Sequence, residues 1–159
     1  MSLTTNKGIE LIQEHEGLRL VAYRDSVGVL TIGYGHTGGV YEGQKISHAK
    51  AVEYLREDLT TAQNAVRRFV LEKGIPLQPN QFDALVSLVF NVGSGSIFTK
   101  KYDNGYQQGS TLYNRLLMLD FSGAAERFTD FRKAGGRELA GLLKRREQER
   151  DLFLKKKAA

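Results

Sequence analysis

The chain has no cysteine and no tryptophan, and only two prolines and two methionines, among its 159 residues. Without cysteine there is no disulfide framework and no thiolate metal site. A cysteine-free chain tolerates reducing and oxidising surroundings alike, so this absence does not name a compartment. Long apolar runs are missing too. None approaches the ~20 residues a membrane helix requires. The opening segment, MSLTTNKGIELIQEHEG, has neither an apolar core nor a cleavage pattern, so no secretory signal is expected. Two prolines in 159 residues leave long stretches free to be helical.

Hydrophobic residues make up 41% of the chain, enough for a core in one folding unit of ordinary size. The net charge of +5 is unevenly spread. Residues 132–159 carry ten Lys/Arg against four Asp/Glu, whereas residues 1–131 are close to neutral. The basic character therefore belongs to the C-terminal end.

Helical periodicity starts near Thr5. Ile9 and Ile12 share a face, Thr4 or Thr5 can cap the helix, and Gly17 can end it. Residues 18–34 are rich in Val, Tyr, Thr and Ile and are broken by Asp25-Ser26 and Gly28, which is strand and turn chemistry. From Ser47 to about residue 73, Val52, Leu55, Leu59, Ala62, Val66 and Phe69 step by three and four along one stripe. Gly74 and Pro76 stop that helix, which is long enough to bridge two lobes. Pro79 opens a helix with broad apolar coverage, expected to be central and buried, and Gly93 ends it. Residues 94–109 read as a loop. Helical patterns follow over 110–119, 122–133 and 139–156. The pattern predicts a small strand-containing N-terminal lobe, a long helix and a helical C-terminal lobe.

The segment GYGHTG, residues 33–38, spells G-x-G-x-x-G after the apolar run VLTI. A dinucleotide site needs those glycines between the first strand and first helix of a repeated β-α-β pattern. Here no helix begins before Ser47, and no further strand run follows it. The glycines instead serve tight turns in a small sheet.

Chemistry is offered just upstream. Glu16 sits where the first helix ends, Asp25 at the first turn of the strand region, and Thr31 in the strand leading into the glycines. A helix end and two neighbouring strands can converge, and paired carboxylates suit glycoside hydrolysis, one protonated and one ionised. By spacing alone, a solvated surface pair is the competing reading.

Residues 15–36, HEGLRLVAYRDSVGVLTIGYGH, resemble the signature of the phage-type lysozymes, the muramidases used as bacteriophage endolysins. GQKISHAKAVEYLREDL (43–59) resembles the start of that family's inter-lobe helix. NQFDALVSLVFNVGSG (80–95) resembles its central helix, and GRELAGLLKRREQERDLF (136–153) its C-terminal helix pair.

The resemblance implies an α+β, mostly helical, lysozyme-like two-lobed fold in one catalytic domain, 1–159. A small antiparallel sheet would occupy an N-terminal lobe at about 14–46, and a long inter-lobe helix would span about 47–73. A helical C-terminal lobe at about 74–159 would pack with the N-terminal helix 5–15. Substrate would lie between the lobes.

It further implies hydrolysis of the β-1,4 bond between N-acetylmuramic acid and N-acetylglucosamine in peptidoglycan, with inversion. Glu16 would be the general acid, Asp25 the ionised residue that activates water, and Thr31 the residue that holds that water. Gly35, His36, Thr37, Phe90, Asn91 and Arg127 match positions on the substrate side. His36 is read mainly as a structural tie of the turn, and His15 and His48 as surface or cap residues. One arginine of the Lys144-Arg145-Arg146 group would pair with Glu16. No cofactor or metal is implied, no nucleic-acid partner is expected, and the chain is expected to be a monomer. It would be made in the host cytoplasm and reach the periplasm and cell wall through a separate pore, a holin. The basic C-terminal end would be attracted to the anionic envelope. A non-catalytic cationic envelope- or nucleic-acid-binding protein is the alternative.

Three features depart from the family pattern. Tryptophan is missing, its place expected to be filled by Phe121 and Phe131. Ala140 stands where proline is usual, and the loop 97–109 is longer than the common form.

Overall fold

The computed structural model describes residues 3–98, 101–103, 106–108 and 111–155. Seven α-helices and three two-stranded antiparallel sheets occur among the described residues. The chain divides into two compact units, one of Ile9–Thr61 and one of Met1–Gly8 with Ala62–Ala159. The division passes through two helices, α1 (Asn6–Glu16) and α2 (His48–Lys73), rather than through loops.

In the unit Ile9–Thr61, α1 buries Ile9 and Ile12 and stops at Gly17, whose φ of +70° is costly for any residue with a side chain. Strands β1 (Arg19–Arg24) and β2 (Leu30–Gly33) follow, pairing Arg19 with Gly33, Tyr23 with Thr31 and Arg24 with Leu30. The register slips between Arg19 and Tyr23, because β1 carries the longer run. The displaced stretch is satisfied by residues 44–46. Ala22 N–H donates to the Gln44 carbonyl at 2.9 Å, and Ile46 N–H to the Leu20 carbonyl at 3.0 Å. Ser47 caps α2 through Lys50 N–H at 3.1 Å.

The other unit is built around α3 (Pro79–Val92), whose residues from Phe82 to Val89 are all buried. Pro79 fits the first helical turn, and Gln78 and Gln81 form a reciprocal capping box. Asp83, one of the buried residues on α3, serves α1: it accepts Thr5 N–H at 2.9 Å and the Thr5 hydroxyl. Gly8 lies so close that an added Cβ would stand 2.7 Å from the Asp83 Cγ. A carboxylate from another helix thus caps the first turn of α1, and only glycine permits that approach.

Beyond α3 come α4 (Ser94–Phe98), β3 (Lys101–Asp103) and β4 (Tyr106–Gln108), so the segment expected to be a loop holds a helical turn and a hairpin. Then follow α5 (Thr111–Leu117), α6 (Phe121–Glu126) and a 3-10 turn (Phe128–Phe131), in place of one helix over 122–133. Asp120 caps α6 through Gly123 N–H at 2.9 Å. A short hairpin, β5 (Lys133–Ala134) with β6 (Arg137–Glu138), precedes α7 (Ala140–Leu154). Phe121 and Phe128 pack on Phe153, with ring centroids 6.3 and 5.4 Å away. Phe128 rather than Phe131 supplies the buried ring, while Phe131 is half-buried.

The inward face of α7 is largely polar. It buries Arg145, Arg146, Glu149 and Phe153, while Leu139 and Leu154 are exposed. Glu149 accepts the Ser87 hydroxyl of α3 at 2.5 Å, Arg146 Nη2 at 3.1 Å and Arg145 Nε at 3.4 Å. Arg146 Nε also stands 2.6 Å from Glu149 Oε1, a close but poorly directed approach. Burial pushes the Glu149 carboxyl up and the Arg146 guanidinium down, and each charge opposes the other's shift. Two guanidiniums and a hydroxyl converging on one carboxylate hold it as an ion pair. Lys155 is exposed, and Lys156 and Lys157 lie outside the described residues. No helix among the described residues is long and apolar enough to cross a membrane.

Removing one partner of a buried pair strands the other, so Glu149→Ala should cost about 3–5 kcal/mol in urea unfolding. Asp151→Ala, at a pair whose carboxylate is 69% exposed, should cost under about 1 kcal/mol. Asp83 gives a pH signature. Burial raises its carboxyl above the ordinary 3.8, against the hydrogen bonds from Thr5 and Gly8. The folded state therefore holds that proton more tightly than the unfolded chain, and the group's contribution to stability falls as pH rises from 3.8 through the folded value. Compared with Asp83→Asn across a pH series, the wild type should gain relative stability as pH is lowered through that window.

Candidate active site

All six expected site residues between Glu16 and Thr37 lie in the unit Ile9–Thr61. Glu16 is the last residue of α1 and is half-buried. Asp25 opens the turn between β1 and β2. Its Oδ1 accepts two backbone N–H groups, from Val27 and Val29, each at 2.9 Å. Its own N–H donates to the Val29 carbonyl at 2.9 Å. Oδ2 has no hydrogen-bond partner among the described residues, so one oxygen is anchored and the other is open to a water or substrate.

Thr31 is buried, and its hydroxyl donates to the same Val29 carbonyl at 2.9 Å. Asp25 and Thr31 thus grip Val29 from its two backbone ends, and this shared clamp ties their positions together. The lone pairs of the Thr31 hydroxyl remain available as acceptors.

The glycines have a defined task. Ile32 and His36 exchange both backbone hydrogen bonds, each at 2.9 Å, and so close a tight loop over Gly33-Tyr34-Gly35. Gly33 and Gly35 have φ of +66° and +83°, in the left-handed region. A Cβ at Gly35 would come 3.4 Å from Glu16 Oε2, so the loop backbone lies directly against the Glu16 carboxylate. The G-x-G pattern brings backbone to a carboxylate, not to a phosphate.

His36 is tied at both ring nitrogens. Nδ1 faces the Asp58 carboxylate at 2.9 Å, and Nε2 faces the Gly38 carbonyl at 2.8 Å. Its ring stacks on Tyr54 with centroids 4.0 Å apart. Neither nitrogen is open to act on a substrate. Thr37 is exposed beside it. His48, expected to be a surface or cap residue, stands 3.0 Å from the Tyr34 hydroxyl.

The remaining expected residues lie in the other unit. Phe90 is half-buried and Asn91 exposed near the end of α3. Arg127 joins α6 to the 3-10 turn and pairs with Asp130 at 3.7 Å. Within the basic group expected to supply an arginine to Glu16, Arg146 is engaged by Glu149 and the Phe131 carbonyl, Arg145 also reaches Glu149, and Lys144 is exposed. Tyr54 and Asp58 escaped the sequence reading. Their signal was an i,i+4 spacing on α2 that puts an aromatic ring and a carboxylate on one face.

Residues 13–149 match the model of the phage lysozyme family. The chain belongs to the phage lysozyme family. It is 39% identical to the endolysin of Salmonella phage P22 over 97% of this chain and 99% of that one. A solved structure of a P22 lysozyme mutant matches with a TM-score of 0.81 at 38% identity, covering 98% of this chain and all of that one. The active form of the P1 phage endolysin Lyz matches with a TM-score of 0.82 at 28% identity, over 95% of this chain and 84% of that one. The chain is accordingly a lysozyme-type enzyme with a mostly helical lysozyme fold.

Gly35→Ala should separate site geometry from fold. The added methyl meets an unfavourable φ and the edge of Glu16, so stability should fall by about 1 kcal/mol. Activity should fall by more than that loss of folded protein explains, read as specific activity of the folded fraction.

Proposed function

We propose that the enzyme is an endolysin muramidase that hydrolyses the β-1,4 bond between N-acetylmuramic acid and N-acetylglucosamine in peptidoglycan. Glu16 donates a proton to the glycosidic oxygen as the bond from the anomeric carbon breaks. A water attacks that carbon from the opposite side and loses its proton to Asp25. The Thr31 hydroxyl accepts a hydrogen bond from this water and orients it. The products are a reducing sugar of inverted configuration and a free hydroxyl on the departing chain.

The observation that carries this reading is the division of labour within Asp25. One oxygen is fixed by two amides, and the other has no hydrogen-bond partner among the described residues, next to a threonine fixed on the same Val29. A carboxylate held this way presents a lone pair at a defined place without reorganisation during the reaction. The glycine at position 35 leaves the loop backbone close beside the carboxyl that would donate the proton. On this reading the enzyme is made in the host cytoplasm, crosses to the wall through a separate holin pore and acts as a monomer. Its basic C-terminal end increases encounters with the anionic envelope.

Glu16→Gln keeps shape and removes the transferable proton, and lysis of outer-membrane-stripped Gram-negative cells should fall at least ~100-fold. Asp25→Asn keeps an acceptor for Val27 and Val29, so it should fold normally and be similarly impaired. Freshly released product followed by NMR should be the α-anomer. Undiminished lysis by a folded Glu16→Gln variant would instead favour a non-catalytic cationic envelope-binding protein.

A further inference from the structure

Between Glu16 and Asp25 the chain places an exposed cation on an aromatic ring. The Arg19 guanidinium lies over Tyr23 at 4.5 Å from the ring centroid. No carboxylate among the described residues pairs with Arg19, whereas Arg24 on the same strand is spent on Glu42 at 3.0 Å. The register puts this pair beside the candidate site. Tyr23 is the cross-strand partner of Thr31, and Arg19 that of Gly33. Directly opposed residues of an antiparallel pair project from the same face, so the Tyr23 ring and the Thr31 side chain share one side of the hairpin. Leu18 and Leu20, 41% and 40% exposed, flank Arg19 with apolar surface.

We propose that Arg19 and Tyr23 form a carboxylate-binding subsite that holds the anionic substituents of the glycan, its peptide-stem carboxylates, next to the bond being cut. The inference rests on the muramidase reading and extends it to a substrate group that takes no part in the reaction. A guanidinium offers a planar fork of donors matched to a carboxylate, and stacking on Tyr23 restrains that fork at little entropic cost. The ring face also suits the C–H surface of a sugar or a peptide methylene. Glu42, in the turn before Gln44, is held by Arg24, which leaves the anion at Arg19 to be supplied by the ligand.

The test compares insoluble peptidoglycan with the same material after its carboxyl groups have been converted to amides. Binding is read by co-sedimentation with the Glu16→Gln enzyme, and KM and kcat with the otherwise wild-type enzyme. Arg19→Gln should weaken binding and raise KM about three- to tenfold on native peptidoglycan, with kcat nearly unchanged, the scale of an exposed charge pair reinforced by stacking. Arg19→Lys should fall between. On amidated material Arg19→Gln and its parent should be equal, because the group that distinguishes them is gone. Lys73→Gln, at an exposed cation on the far end of α2, should show no carboxyl-dependent change. Equal binding on native peptidoglycan, a loss of the same size on amidated material, or a matching effect from Lys73→Gln would each overturn the subsite. Failure of the muramidase reading is visible separately, as the absence of new reducing ends when the wild-type enzyme is incubated with native peptidoglycan, and the co-sedimentation comparison does not depend on hydrolysis.

Discussion

The N-terminal site depends on one carboxylate oxygen receiving two backbone amides. Asp25 Oδ1 closes the β1–β2 turn by accepting from Val27 and Val29, which lack ladder partners at that bend. Without an acceptor there, both amides would need water, and the turn would lose its fixed shape. Because Val29 also takes the Asp25 amide and the Thr31 hydroxyl on its carbonyl, one residue of backbone links the two side chains assigned to the water. The residue that builds the turn is thereby the residue proposed to act on water from it. The oxygen that closes the turn and the oxygen proposed to face the water are different atoms, and an amide substitution can therefore remove one role while preserving the other.

The glycine loop adds the second carboxylate by the same economy. The bridge between Ile32 and His36 leaves three residues to reverse the chain, and two of them take positive φ. A side chain at Gly35 would sit against Glu16, so the glycine provides both the turn and the close approach. His36 then fixes the loop to α2 through Asp58 and Tyr54. With both ring nitrogens occupied, the histidine is a brace for the backbone that lies against the Glu16 carboxylate.

The larger unit is held by polar groups where apolar ones are expected. Asp83 and Ser87 lie four residues apart on the most buried helix, and each serves a different neighbour: Asp83 the start of α1, Ser87 the Glu149 of α7. Such groups contribute little net stability compared with well-packed hydrophobes of the same volume. They do fix direction, because a hydrogen-bonded carboxylate accepts only one arrangement of donors, whereas leucines on leucines tolerate sliding. The helix α7 therefore docks through Arg146, Glu149 and Phe153 and leaves Leu139 and Leu154 exposed.

Elements whose signals are local are legible in the chain alone. The apolar stripe from Leu55 to Phe69, the Pro79 start, the glycine stops at 17, 74 and 93 and the turn at Asp25-Ser26 all specify their own conformation, because capping, φ restriction and periodicity act within a few residues. The family resemblance pointed to Glu16, Asp25 and Thr31, since those positions sit in one contiguous stretch of 16 residues, Glu16 to Thr31. Which polar residues go inside depends on long-range contacts. Arg146 and Glu149 look like ordinary helical charges, and Asp83 like any helical carboxylate, until partners distant in sequence, Ser87 and Thr5, are brought to Glu149 and Asp83. The hairpin and helical turn within 94–108 were likewise hidden, because a Gly-, Tyr- and Lys-rich segment carries no clear period. Burial of a charge depends on a partner that sequence separation conceals, and for that physical reason it cannot be read from a local pattern.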